Sequence, residues 1–450
     1  MAGSTSLTRT PSSTGNQKTF TISFWMKRSG LGADMQVIGQ QASNYFRIII
    51  KAANDALRCY GPSFDLASKR ELRDTLGWYH IVLAMDTTQA TDSNRAKLWI
   101  NGIQETTFDT ETYPSQNADM DFNHQQLHKI GSGTSSDFYD GLLSHIHFCD
   151  GTAYTASDFG STDATSGEWT IKTSPSVTYG TNGFRILKDD NTITDQSSNS
   201  NDWALGAGTL TSTQDCPDDT FCTMNPHRRF AANLALTQGN LTCTESAGSW
   251  QISSGTLGAT KGKYYCEYKI TTLGTGSGYH KLGICGDEVG TQASVSHGAE
   301  TALDGAYVFY FQNGSLEART DGAVISGWDA SSTGITCAVN DVMCMAVDMD
   351  NKFMYFRKNG DSWAKSGDPT SGASGTGGVN FSADYPSDNI KFAIPTISIY
   401  SNGVGSANFG DGSFGTTAIS SAGTNASAIG IFEYDVPTGY TAWSTKGLQE

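Results

Sequence analysis

Glutamate is scarce in this chain, and lysine, arginine, proline and cysteine are sparse as well. Only 11 of the 450 residues are Glu, which leaves 34 Asp among the 45 acidic residues. Glu sits comfortably inside helices, whereas Asp bonds to nearby backbone and favours turns, so the imbalance argues against long helices. With 29 Lys and Arg the formal charge is −16, and no cationic surface for a phosphate backbone is expected; nucleic acid is excluded as a partner. No apolar run approaches the roughly 18 residues of a membrane span, so membrane insertion is not expected either. The opening Met1-Ala-Gly-Ser-Thr-Ser lacks the apolar centre of a secretory signal, which predicts folding in a cytoplasm or export without a Sec-type leader. Nine cysteines are too few, and odd in number, for a disulfide framework. Cys149, Cys266, Cys285 and Cys344 fall inside strand patterns and read as small buried hydrophobes. Cys216 and Cys222 are the one pair spaced to close a loop, a bridge that cytoplasmic folding disfavours.

Glycine, at 50 residues, is plentiful, and turn-forming Ser, Thr, Asn and Asp surround short runs of alternating apolar and polar side chains. Residues 18–28 (Lys-Thr-Phe-Thr-Ile-Ser-Phe-Trp-Met-Lys-Arg) alternate in the manner of a half-buried strand. One phrase occurs twice. Trp78-Tyr-His-Ile-Val-Leu-Ala-Met-Asp86 leads through a loop to Ala96-Lys-Leu-Trp-Ile-Asn101-Gly102. Asp341-Val-Met-Cys-Met-Ala-Val-Asp348 leads through Met-Asp350-Asn351 to Lys352-Phe-Met-Tyr-Phe-Arg-Lys-Asn359-Gly360. Asn-Gly supplies the two positive-φ residues of a type I′ hairpin, so each copy predicts three successive antiparallel strands. Two meanders this far apart predict an all-β chain of two sandwich domains in tandem. The expected division is 1–228, including a polar connector from residue 189 packed on the first sandwich through Trp203, Leu205 and Phe221, and 229–450. Residues 67–76 are the only stretch with a helical look. Residues 365–380, rich in Gly and Ser, predict a flexible, exposed loop.

Chemistry is thinly signalled. Glycoside hydrolysis needs two carboxylates facing one groove, which on a strand means alternating positions such as Glu-x-Asp-x-Glu. Glu105-Thr-Thr-Phe-Asp109-Thr-Glu111 has the wrong spacing for one strand face, and Glu433-Tyr-Asp435 lacks a third acid. His124/His128 and His145/His147 have zinc-like spacings without a third ligand, and satisfied histidines are the stronger reading. Asp119/Asp121, Asp215 to Asp219 and Asp348/Asp350 carry oxygen chemistry suited to calcium, the one ion to consider; no other cofactor is expected. The run from Asp348 to Asn351 reads most simply as a turn. Trp328, Trp363 and Tyr279 stand in polar surroundings and are the candidate ligand-binding residues, as flat platforms for a sugar; the competing reading is that each plugs a sandwich end, as Trp203 and Trp250 are expected to do. No catalytic residue is assigned.

Phe20-Thr-Ile-Ser-Phe-Trp-Met, Gly77-Trp-Tyr-His-Ile-Val and Leu98-Trp-Ile-Asn-Gly resemble the strand phrases of laminin-G-like, concanavalin-like domains. Gly262-Lys-Tyr-Tyr-Cys-Glu-Tyr, Asn340-Asp-Val, Val347-Asp-Met-Asp-Asn, Tyr355-Phe-Arg-Lys-Asn-Gly, Ile394-Pro and Asn408-Phe-Gly resemble SPRY domains. Together these resemblances imply an all-β chain of two concanavalin A-like jelly-roll β-sandwiches in tandem. Their pairing, with Val436-Pro-Thr-Gly-Tyr and Thr445-Lys-Gly-Leu near the C-terminus, is similar to virion structural proteins of tailed, marine-type bacteriophages. That resemblance implies a non-catalytic tail-fibre or receptor-binding protein of the virion, made in the host cytoplasm. Its expected partners are other virion proteins, a host surface glycan or protein, and further copies of itself. SPRY relatives contact partners through end loops, here residues 287–302 and 362–380. A capsid-decorating protein is the alternative; a bacterial lectin and a polysaccharide-cleaving enzyme are the rivals.

Overall fold

The Asn-Gly phrases fold in the same way at both places. In the computed structural model Asn101 and Gly102 have φ of 49° and 76°, and Asn359 and Gly360 have 50° and 73°, the left-handed pair that a type I′ turn demands. Each Asn also returns to the start of the neighbouring strand. Asn101 Oδ1 accepts the His80 amide at 2.7 Å, and Asn359 Oδ1 accepts the Val342 amide at 2.7 Å. The third strand differs. Ile103–Gln104 pairs with Ala96–Ile100, whereas the chain after Gly360 forms no strand and the edge of Phe353–Lys358 is taken by Val379–Asn380.

The residues described are 4–41, 45–133, 137–230, 233–275, 279–287, 298–312, 315–385 and 390–449. They form two units, residues 1–211 with 216–218, and residues 212–215 with 219–450. The expected boundary at 228/229 falls inside strand Met224–Phe230, which pairs with Gln251–Gly255 in the second unit.

In the first unit, an eight-stranded sheet runs Phe108–Thr112, Phe64–Glu71, Ala56–Gly61, Tyr45–Ile50, Met35–Gln41, His128–Ile130, Ser6–Arg9 and Ala204–Ala207. A six-stranded sheet runs Phe184–Ile186, Gly141–Asp150, Thr19–Arg28, Tyr79–Asp86, Ala96–Ile100 and Ile103–Gln104. One apolar core joins them, with Phe20, Ile22, Phe24 and Leu83 from the second sheet meeting Phe46, Ile48, Phe64 and Leu66 from the first. That is a β-sandwich.

The second unit repeats the plan. A seven-stranded sheet (Met224–Phe230, Gln251–Gly255, Ile394–Tyr400, Tyr279–Cys285, Tyr307–Gln312, Ser315–Thr320, Ala323–Val324) faces a second sheet. The latter runs Leu234–Thr237, Thr242–Glu245, Val404–Asn408, Lys263–Thr272, Val342–Asp348, Phe353–Lys358 and Val379–Asn380, with Thr441–Ala442 added in parallel beside Lys263–Thr272. Leu282, Phe309 and Ile397 meet Cys266, Met345 and Phe356 in its core.

Alternation along the strands turns out to mark two covered faces rather than one. On Thr19–Arg28 the polar positions are buried too: Thr21 bonds to the Thr152 carbonyl and Ser23 to His80. Residues Ala156, Phe159 and Trp169 lie over Val82, Ala84 and Trp99 on the outer face of the six-stranded sheet. In the second unit, residues from Phe414 to Ala442 cover Tyr265, Val342, Cys344 and Tyr355. Short helix Ala299–Ala302 covers Ile252, Cys285 and Val308.

Two local expectations are corrected. Residues 67–76 are not helical: strand Phe64–Glu71 continues through Ala67, pairing with Ala56–Gly61 on one side and Phe108–Thr112 on the other. Two ladders outweigh a helix propensity of tenths of a kcal/mol per residue. Residues 365–380 are largely exposed, as expected, but are ordered by internal bonds: Asp368 caps Thr370, and the Asp368 amide donates to the Thr376 carbonyl. Gly375 lies on Phe353, where an added Cβ would come within 2.1 Å of the ring. All nine cysteines are free thiols, including Cys216 and Cys222.

Candidate binding site

The three aromatic candidates occupy three different environments. Trp328 is a correction: it is 6% exposed, its ring 5.5 Å from Phe309, and its backbone bonds to Ile325 and Ala318. It belongs to the sandwich core, so it presents no open face to a sugar. Trp328→Ala should lower stability by about 3 kcal/mol in denaturant titration, the usual result of emptying a large core site. Trp363 is half-buried, with the Arg357 guanidinium 4.7 Å from its ring centre and Tyr355 against its edge at 6.4 Å. Tyr279 is also half-buried, within a group formed with Trp250, Tyr310 and Tyr400 at ring separations of 5.3–6.0 Å. Lys281 Nζ sits 4.1 Å from the ring centres of both Trp250 and Tyr310. Trp250 therefore plugs no sandwich interior; it shares the outer face of the seven-stranded sheet with these tyrosines. Trp203, by contrast, does lie in the first core, edge-on to Phe184 at 5.1 Å. Of the end loops, residues 288–297 lie outside the described residues.

Three of the four candidate histidines are satisfied. His128 Nε2 accepts the Asn123 amide at 3.2 Å and its Nδ1 meets the Gln126 carbonyl at 2.8 Å. His145 Nδ1 meets Ser144 Oγ at 2.7 Å and His147 Nδ1 meets the Tyr179 hydroxyl at 2.9 Å. Burial holds all three below the ordinary imidazole value, His128 and His145 at about 4. Asp348 ties its turn together, accepting the amides of Asp350 and Asn351 and pairing with Lys263 at 3.0 Å. Among the described residues no three His, Cys, Asp or Glu side chains gather as a metal site. The acids considered for hydrolysis are dispersed: Glu105 pairs with Arg70 at 2.9 Å, Glu111 accepts from Tyr113, and Asp435 caps Thr424.

Sequence reasoning missed the clefts. In the first unit a surface cleft of about 600 Å³ lies between strand Ser6–Arg9, Leu127 and residues 200–204. Its wall is made by what looked like connector. Asp195 accepts the amides of Arg185, Ser197 and Asn201. Asn199 and Asn201 donate to the Gly183 carbonyl, and Asp202 Oδ1 accepts the Asp195 amide at 2.8 Å. Arg9 is held by the Asn182 carbonyl at 3.3 Å and by Asn201 Oδ1. The signal was present in Asp195-Gln-Ser-Ser-Asn-Ser-Asn-Asp-Trp203, since closely spaced Asx and Ser residues bond to their own backbone and freeze a loop. In the second unit a cleft of about 350 Å³ is floored by Thr242 and Ser406, whose hydroxyls meet at 2.8 Å. Lys269 lines it too, 4.0 Å from Glu433.

The chain is similar to the SPRY domain of human HERC1, at 13% identity over 41% of this chain and 96% of that one, with a TM-score of 0.28. It is similar to domains LG4-5 of the mouse laminin alpha1 chain, at 7% identity over 90% of this chain and 85% of that one, with a TM-score of 0.28. A third likeness is to domain 4 of AbnA, a GH43 extracellular arabinanase of Geobacillus stearothermophilus solved with arabinotriose. It has 16% identity over 33% of this chain and 67% of that one, with a TM-score of 0.26. No curated protein matches the chain. Residues 2–158 match the laminin G model of the concanavalin A-like lectin/glucanases superfamily.

Proposed function

We propose that this chain is a non-catalytic binding protein whose two sandwiches present fixed clefts and loops to a surface glycan or protein. We further propose that it serves as a structural, adhesive component of a tailed-phage virion. The observation that supports the binding reading is the first-unit cleft, whose polar wall is locked by side-chain bonds before any ligand arrives; a preorganised wall loses little entropy on binding. The dispersal of Glu105, Glu111 and Asp435 onto separate partners supports the absence of glycoside hydrolysis, which needs an acid pair across one groove. The phage reading rests on the order of the strand phrases in the two halves.

Two measurements test this. Incubation with host surface polysaccharide should release no new reducing ends while pull-down on host cells retains the protein. Release of reducing ends that Glu105→Gln abolishes would make it a hydrolase instead. Antibody labelling of virions should place the protein at the tail tip; labelling over the head would favour capsid decoration, and no labelling would remove the virion assignment.

A further inference from the structure

We infer that the cleft beside Arg9 in the first unit is a binding site for a neutral oligosaccharide, one without uronate or sialate groups. The inference rests on the binding reading above and gives it a place and a ligand class. The cleft's volume, about 600 Å³, lies within the range of small-molecule sites. Its wall alternates hydroxyl, amide and carboxylate groups from Thr10, Ser200, Asn201 and Asp202 with the apolar side chain of Leu127, which is 44% exposed. That mixture matches a pyranose, whose edge carries vicinal hydroxyls and whose face carries C–H groups.

Charge selects within that class. Among the described residues Arg9 is the one cation lining the cleft, and it is committed: its guanidinium bonds Asn182 and Asn201, lies 5.8 Å from the Phe184 ring centre, and has Asp195 and Asp202 as its charge neighbours. Asp202 is exposed at the rim, and only one of its oxygens, Oδ1, is engaged with the Asp195 amide. An acidic sugar would meet this carboxylate, on a chain of net charge −16, without a free cation in the cleft to offset it. A neutral sugar's hydroxyl donates to the carboxylate instead, a charge-assisted bond. The opening is broad, so a chain end or a run of two or three residues fits better than a single enclosed sugar.

The test uses the full-length protein on an array of neutral and acidic oligosaccharides, followed by calorimetric titration with the neutral trisaccharides retained. Neutral glycans should bind and their sialylated or uronate counterparts should bind at least tenfold more weakly. Thr10→Trp, which fills the cleft from an exposed position, and Leu127→Asp, which removes its apolar wall, should each weaken neutral binding tenfold or more with the melting temperature unchanged. Val324→Ser, on an exposed edge strand of the other unit, should leave it unaltered. Neutral binding that survives both cleft variants, a preference for acidic glycans, or an array with no neutral binder overturns the proposal. An array without binders on a protein that still adheres to host cells would sink the cleft alone; loss of both would sink the binding function with it.

Discussion

Acidification from pH 7 to 4.5 should unfold the first unit while the second holds. The first unit buries four histidines as neutral rings: His80 is held down to about 3, His128 and His145 to about 4, and His147 well below its ordinary value, all chiefly by desolvation. His80 shows why the neutral form is required. Trp169 Nε1 donates to its Nδ1 at 3.0 Å, so that nitrogen carries no proton, and Nε2 meets Ser23 Oγ at 2.9 Å. Its ring is stacked on Trp25 at 4.7 Å, leaving no room for water to solvate a charge. A lowered folded value gives stability that is present above about pH 6.5 and lost as pH falls towards the folded value, because the unfolded chain takes up the proton first. By pH 4.5 that is about 3 kcal/mol for each of His80, His128 and His145 at 1.36 kcal/mol per unit, about 9 kcal/mol together with His147 acting in the same direction, comparable to the whole stability of a domain.

The second unit carries opposed groups. His280, held to about 4 by burial, loses stability over the same range. Glu267, raised to about 7 by burial, has the reverse sign: its folded form binds the proton more tightly, so stability rises as pH falls from about 7 to 4.5. The two nearly cancel. Calorimetry from pH 7.5 to 4.5 should show one transition falling by about 20 °C or more and the other moving by only a few degrees. Two transitions that fall together would show that the histidines do not set the acid limit.

Removal of residues 411–450 should abolish the cooperative melt of the second unit, and Glu267→Ala should reproduce part of that loss. The C-terminal segment lays Phe414, Phe432, Val436 and Tyr440 over Tyr265, Val342, Cys344 and Tyr355, covering the outer face of a sheet already packed on its inner face. Glu267 fastens it from the centre of that face. Its carboxylate accepts the Glu433 and Tyr434 amides, each at 2.9 Å, with Asn408 Nδ2 and the Tyr265 hydroxyl at 3.1 Å. Glu267→Ala leaves the two amides without their acceptor in a buried setting, at roughly 1–3 kcal/mol for each orphaned donor. A loss of about 3 kcal/mol or more is expected in urea titration, and a smaller one for Glu267→Gln, which keeps one acceptor oxygen. A change below about 1 kcal/mol for Glu267→Ala would mean the segment is held by its apolar contacts alone.

Local order in the fold was legible in the sequence. Alternation placed Thr19–Arg28 as a strand, and the repeated phrase with its Asn-Gly pairs placed Tyr79–Asp86, Val342–Asp348 and both turns, because these signals act within a few residues and need no distant partner. The sequence also made the Asp348–Asn351 turn legible, since Asp bonds to its own backbone. Tertiary structure decided what each side chain faces. Residues 67–76 became strand and loop because Phe64–Glu71 gained a ladder on each side, and Trp328 became core because Phe309 from a neighbouring strand lies against it. The covering of outer faces by residues 156–169 and 414–442 was equally illegible: a strand buried on one face and a strand whose second face holds Thr, Ser and His beneath another layer share one pattern. The cleft beside Arg9 joins residues near 10, 127 and 200, and no local rule of sequence brings such distant segments together. Periodicity reports the direction in which a side chain points, whereas its neighbour is chosen by packing that the whole chain completes.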